Sequence, residues 1–363
     1  MSPGPTPAPK RSGGKDYGYA NARLRGMRSR LLSRAFLDDL VETPDIQQFI
    51  LKLQQTEYAP DLEETLVHGR DPAAVDEALK NNMVRTYQRV LGFLNDEAAF
   101  IVTTLLGRWD VFNLKTIIRG KHMHLTTAEV REGLLPAGQL TIVDLEALTA
   151  AEDVRAIVDT AVTWGLPFAG AMREGFARFT QTGDLADIEL SLDRYYADWA
   201  AKRLSKTRGN IGTAKRILGI QVDTMNLVMV FRLQKADTES IAPEQFYLQG
   251  GAAISRPLYA ELAKFSDVDE VLDRLRGTPY GRLLDEVAVK YIEENSIAVF
   301  ERALEDYLMR NALSLGTGDP LGIGIGISYL WAKQNEITNL RIIVKGKAVG
   351  MPVDRMRRDL ILV

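Results

Sequence analysis

One ten-residue pattern occurs three times in this chain at a constant step, and that step limits what the chain can fold into. Asp110-Val-Phe-Asn113-Leu-Lys-Thr-Ile-Ile-Arg119 returns as Asp223-Thr-Met-Asn226-Leu-Val-Met-Val-Phe-Arg232 and again as Glu336-Ile-Thr-Asn339-Leu-Arg-Ile-Ile-Val-Lys345. The shared form is acid-x-x-Asn-Leu-x-x-apolar-apolar-base, and Asn113, Asn226 and Asn339 stand 113 residues apart. A second pattern keeps nearly the same step: Val75-Asp76-Glu77-Ala78-Leu79, Ile188-Glu189-Leu190-Ser191-Leu192 and Phe300-Glu301-Arg302-Ala303-Leu304. A third lies upstream in each copy, running Leu40-x4-Asp45-Ile46, Leu148-x4-Asp153-Val154 and Leu262-x4-Asp267-Val268. Copies one and three continue to Thr56-x-Tyr58 and Thr278-x-Tyr280, where copy two has Trp164-x-Leu166. A step this long is a domain, not the ~20–50-residue turn of a solenoid. The chain therefore reads as a triplicated unit over residues 17–125, 126–240 and 241–363. Residues 1–16 are rich in Pro, Gly and Ser, cannot supply a packed core, and are expected to form a disordered tail.

Helical spacing of apolar residues dominates, and hairpin dipeptides between alternating strands are scarce, so the expected class is all-α. Tyr19 to Leu40 reads as one helix. Asp71-Pro72 marks a second start, with Pro where its missing N–H costs little, and Ala73 to Arg119 reads as helix broken near Gly107. At about 100° per residue, Leu114, Ile117 and Ile118 form one apolar stripe beside Asn113, and Asp110 falls inside it. The other two copies place their residues alike. An acid and an amide on a core-facing stripe suit either a catalytic pair or a buried polar clamp on neighbouring backbone. A catalytic pair has no reason to appear three times, so Asp110 with Asn113, Asp223 with Asn226 and Glu336 with Asn339 are read as structural clamps. Arg119, Arg232 and Lys345 fall on the opposite side, as solvated residues or as contacts for a partner.

Several function classes are excluded or weakened. There is no cysteine, hence no disulfide, thiolate ligand or thiol nucleophile, and only three histidines: His68, His122 and His124. His122 and His124 cannot share one helical face, and no third ligand stands near them, so no metal is expected. The Gly316–Gly326 run resembles a phosphate loop, but Ile327-Ser328 follows it where a P-loop needs Lys-Ser/Thr. It reads instead as a flexible loop ahead of a helix near Tyr329, and no cofactor is expected. The longest apolar run, Ala98 to Leu106, falls short of the ~18–20 residues of a membrane span. A net charge of −3 gives no bulk attraction to nucleic acid. The Arg23, Arg25, Arg28, Arg30 and Arg34 face of the first helix leaves open a scaffold or nucleic-acid-binding protein, although Asp38, Asp39 and Glu42 follow at once.

Three stretches together resemble a known family: Tyr19-x-x-Ala22-Arg23, Trp109-Asp110-Val-x-Asn113-Leu-Lys-x-Ile-x-Arg119-Gly120, and Tyr329-x3-Lys333-x2-Glu336-Ile-x-Asn339-Leu-Arg341-Ile-Ile-x-Lys345-Gly346-Lys347. They are similar to the C subunits of the archaeal and bacterial A/V-type ATPases and to the related d subunits of the eukaryotic vacuolar proton pump. The resemblance runs from about Tyr17 to Val363. It implies a funnel of three similar helical domains about a pseudo-threefold axis. It further implies a non-catalytic central-stalk component on the cytoplasmic face of the membrane, with the proteolipid rotor ring and the central shaft as partners, coupling ion transport to ATP synthesis or hydrolysis.

Overall fold

The computed structural model describes residues 17–67, 69–205, 210–234 and 243–362; the Pro-rich tail and His68 lie outside them. Among the described residues every regular element is a helix. The first stretch comprises α1 (Gly18–Arg28), α2 (Arg34–Val41), α3 (Ile46–Leu53), α4 (Ala59–Thr65), α5 (Pro72–Phe93) and α6 (Asp96–His122). The second comprises α7 (Thr127–Gly133), α8 (Ile142–Thr149), α9 (Val154–Thr163), α10 (Ala169–Thr182), α11 (Ala186–Ser205) and α12 (Ile211–Leu233). The third opens with a 3-10 turn, Pro243–Phe246. It continues through α13 (Arg256–Leu262), α14 (Val268–Leu275), α15 (Gly281–Glu294), α16 (Ala298–Ser314), α17 (Gly324–Ala348) and α18 (Val353–Asp359).

The repeated sequence patterns mark where these elements start. Asp45, Asp153 and Asp267 each sit at an N-cap and accept a backbone N–H from the first turn of α3, α9 and α14, satisfying a donor that the helix itself cannot. Thr56 and Thr278 close the preceding helix by donating to Leu53 O and Leu275 O, and each accepts from the N–H of the tyrosine two residues on. Those tyrosines, Tyr58 and Tyr280, occupy the N-cap of α4 and α15. In the middle copy the residue so placed is Phe168, at the N-cap of α10, and not Leu166. The reason is that α9 is two residues longer than α3 and α14. Leu79, Leu192 and Leu304 are fully buried on α5, α11 and α16, each worth roughly 1.5–3 kcal/mol of apolar burial.

Three local expectations are corrected. The Tyr19–Leu40 segment is two helices, because Ser33 caps α2 by accepting from Phe36 N. The break in Ala73–Arg119 falls at Leu94-Asn95, where Asn95 caps α6. Gly107 lies inside that helix, and a Cβ there would sit 3.0 Å from the Trp199 ring. In the glycine-rich run, Gly324 and Gly326 are already helical and residues 322–330 are buried, so the end of the run is packed.

The unit of packing is offset from the unit of repetition by one long helix. α6 packs on α8, α9 and α11 of the following stretch, and α12 on α13 and α16. α17 packs on α2, α3 and α5 of the first stretch. The C-terminal α18 lies against α17 and α2, as α7 lies against α6 and α8. One hydrophobic core, between Leu227 and Leu304, is built from α12 to α16. A larger one runs from Tyr17 to Leu360 and joins the two ends of the chain.

Candidate functional site: three buried clamps

The six acid and amide residues of the repeated pattern are all buried, none more than 6% exposed. Each asparagine closes a two-way bond with one residue 22 positions later. Asn113 donates to Leu135 O at 2.7 Å and accepts from Leu135 N at 2.7 Å. Asn226 does the same with Leu248 at 2.9 and 2.8 Å, and Asn339 with Ile361 at 3.1 and 2.8 Å. The side-chain amide thus stands in for a backbone partner of the segment that leaves the long helix.

The acids reach further along the chain. Asp110 accepts from Gln139 N and Leu140 N at 2.9 Å. Asp223 accepts from Ala252, Ala253 and Ile254 N at 2.7–3.0 Å and from the Tyr280 hydroxyl at 2.8 Å. Gly138 and Gly251 allow this approach, since a Cβ on either would overlap the carboxylate. Leu140 and Ile254 each stand eight residues before the leucine of the upstream motif, Leu148 and Leu262, and the matching residue before Leu40 is Leu32. Glu336 accepts from Leu32 N. It also accepts from the Tyr58 hydroxyl at 2.7 Å and Lys333 Nζ at 2.8 Å. The third acid therefore grips the first stretch in the way the first and second acids grip the second and third. The chain is closed on itself without a covalent link.

Electrostatics grade the three clamps. Burial pushes Asp110 up to about 6, against the pull of its two backbone donors. Asp223 is also raised by burial, opposed by Tyr280 and three backbone N–H groups. Phe168 stands where a tyrosine would be, so Asp110 has no hydroxyl donor. In the third clamp, burial lowers Lys333 and, with Glu336 beside it, raises Tyr58.

Arg119 and Arg232 lie outside the clamps and are tied within the chain. Arg119 makes a two-pronged pair with Glu189, both contacts 2.5 Å, and Arg232 pairs with Glu301 at 2.8–2.9 Å. Each joins the long helix to the next stretch. Lys345 is exposed and has no ion pair among the described residues; Arg341, one turn earlier, takes Asp76 at 2.5 Å. The carboxylates Asp76, Glu189 and Glu301 belong to the second repeated motif, and the nearly equal steps of 70 and 69 residues from Arg119 to Glu189 and from Arg232 to Glu301 are the signal for those two pairs. The arginines expected on the first helix are also engaged. Arg23 lies over the Phe93 ring, Arg25 donates to Pro320 O and Arg28 to Ser328 Oγ, while Arg30 and Arg34 pair with Glu57 and Asp38. Among the described residues no cluster of His, Asp or Glu could hold a metal ion. His122 and His124 are exposed.

The family described as ATP synthase (C/AC39) subunit matches residues 20–359. The chain is 27% identical to the C subunit of the A-type ATP synthase of Methanocaldococcus jannaschii over 95% of its own length and 86% of that protein. It is 30% identical to the C subunit of the V-type ATP synthase of Deinococcus radiodurans, covering 95% and 91%. To the A-type C subunit of Methanobrevibacter smithii it is 31% identical, covering 95% and 88%.

Proposed function

Because the chain belongs to the ATP synthase (C/AC39) subunit family and so to an A/V-type ATPase complex, we propose that it is the non-catalytic central-stalk component, seated between the membrane rotor ring and the central shaft. In this reading residues 17–125, 126–240 and 241–363 form three similar domains about a pseudo-threefold axis, shaped as a funnel. The protein is peripheral to the cytoplasmic face of the membrane and held there by its proteolipid and shaft partners. No helix among the described residues is long and apolar enough to cross a membrane.

The observation that carries the proposal is the closure of the third clamp. A coupling element must pass torque without shearing, and an open chain of three units would yield at its ends. Here Glu336 on α17 holds Leu32 N and the Tyr58 hydroxyl. Lys347 donates to Val41 O and Thr43 O, and Arg357 pairs with Glu42, so the last helices are locked to the first. Close-packed interiors resist deformation and transmit strain. Arg25 and Arg28 of α1 serve this junction and Arg23 lies over Phe93, leaving little of that face for nucleic acid. Mass spectrometry of proteins co-purifying with the tagged chain from native membranes tests the reading. Ring and shaft proteins are expected, and their absence with other partners present overturns it.

A further inference from the structure

The three long helices meet. α12 packs on both α6 and α17, and α6 reaches α17 through Arg108, whose Nη2 donates to Gln334 Oε1. The 113-residue step makes Arg108, Gln221 and Gln334 equivalent positions, two neutral amides and one cation. The Arg108 guanidinium lies 4.4 Å from the Trp331 ring centroid and 5.0 Å from that of Trp109. Its Nε is buried with no acceptor, as is the Trp109 indole N–H. Among the described residues Arg108 has no ion pair. The ionisable groups acting on it are the phenols of Tyr87 and Tyr196, which are neutral at pH 7.

Arg108 is half-buried, its Nε closed off beside neutral groups, and the charge has no anion inside the chain, whereas charges at such sites are normally paired. Five other arginine or lysine side chains of these helices find carboxylates inside the chain: Lys115 with Asp193, Arg119 with Glu189, Arg232 with Glu301, Lys333 with Glu336, and Arg341 with Asp76. Arg108 does not. One turn along α6, Phe112 is 44% exposed and meets Trp109 edge-on at 5.7 Å. Its equivalents Met225 and Thr338 are partly exposed. The convergence of the helices thus offers an aromatic and apolar face around one unmatched cation.

We infer that Arg108 is the key of the shaft seat: it receives a carboxylate from the foot of the shaft and, as one cation among three equivalent positions, selects one of three otherwise similar orientations. This rests on the central-stalk reading. A seat with three similar positions fixes one orientation of its occupant only if one position differs, and a charge against two amides discriminates strongly, because the wrong orientations leave the guanidinium and the carboxylate apart.

The test is calorimetric binding of the purified chain to the purified shaft proteins of the same complex. Arg108→Gln makes the three positions identical. It is expected to melt at or above the parent's temperature and to bind the shaft at least ~10-fold more weakly, as the loss of a charge-assisted bond implies. Arg108→Lys keeps the charge and is expected to stay within a few-fold of the parent. The double variant Arg108→Gln, Gln221→Arg moves the cation to the next helix and is expected to regain affinity, with site-specific cross-links to the shaft displaced by a third of a turn. Equal binding by Arg108→Gln and the parent overturns the inference and leaves the central-stalk reading intact. Equal loss by the Gln and Lys variants, both folded, overturns the carboxylate. Failure of the parent itself to bind the shaft overturns the central-stalk reading.

Discussion

Replacing Asn226 by alanine tests the clamp where its geometry is most symmetrical. The side chain donates to Leu248 O at 2.9 Å and accepts from Leu248 N at 2.8 Å, and it is fully buried. Alanine removes both bonds and leaves one backbone donor and one acceptor without partners in a region closed to solvent. Each orphaned group costs about 1–3 kcal/mol, so the pair should cost roughly 3–4 kcal/mol when some relaxation is allowed. For a chain of this size that is a fall in Tm of roughly 4–5 °C. Asn226→Asp should be worse than alanine at pH 7, because it sets a carboxylate oxygen against Leu248 O, and should partly recover in acid. Differential scanning calorimetry measures both, and hydrogen exchange at the Leu248 amide reports the local opening. A Tm for Asn226→Ala within about 1 °C of the parent, with the Leu248 amide still protected, would refute the clamp. Asn113→Ala and Asn339→Ala should behave alike, with the smaller loss at Asn339, whose bonds to Ile361 are only part-buried.

Gly251→Ala puts a methyl group into the Asp223 carboxylate and is expected to destabilise by at least ~2 kcal/mol in chemical unfolding, whereas Gly92→Ala, in open space on α5, should be neutral or stabilising by ~0.5–1 kcal/mol. Lys345→Glu should leave Tm unchanged and weaken assembly with the ring or shaft in pull-down. Arg232→Glu should lower Tm by itself, because it faces Glu301. Asp110 holds its proton more tightly in the fold, at about 6 against an ordinary 3.8, so its contribution to stability is full below pH ~4 and is lost as pH rises through about 6. Asp110→Asn should therefore gain on the parent, by up to ~3 kcal/mol, when melts are compared across that window.

The 113-residue step, the helical class and the faces of Asn113, Asn226 and Asn339 could be read from periodicity, because they depend on local spacing. What each clamp holds could not, since a repeat does not say which copy packs on which. The clue was nevertheless present: Gly138 and Gly251 keep the same step, and both permit contact with an acid. The third clamp has no such glycine in sequence, because its target, Leu32, lies at the other end of the chain. Opposite-face geometry suggested outward roles for Arg119 and Arg232. A long side chain leaning along its helix can still reach a neighbour's carboxylate, and both do. Gly107 and the Gly316–Gly326 run resembled breaks because glycine favours them locally, yet Gly107 makes room for Trp199 and Gly324 begins a buried helix.

Coupling is the proposed role, and ATP-driven ion pumping by complexes reconstituted into vesicles with and without this protein puts it to the sharpest test. Complexes lacking it are expected to hydrolyse ATP in the soluble head but to pump no ions, and adding the purified chain should restore pumping. Full pumping in its absence, with the ring and shaft otherwise intact, would contradict the coupling role.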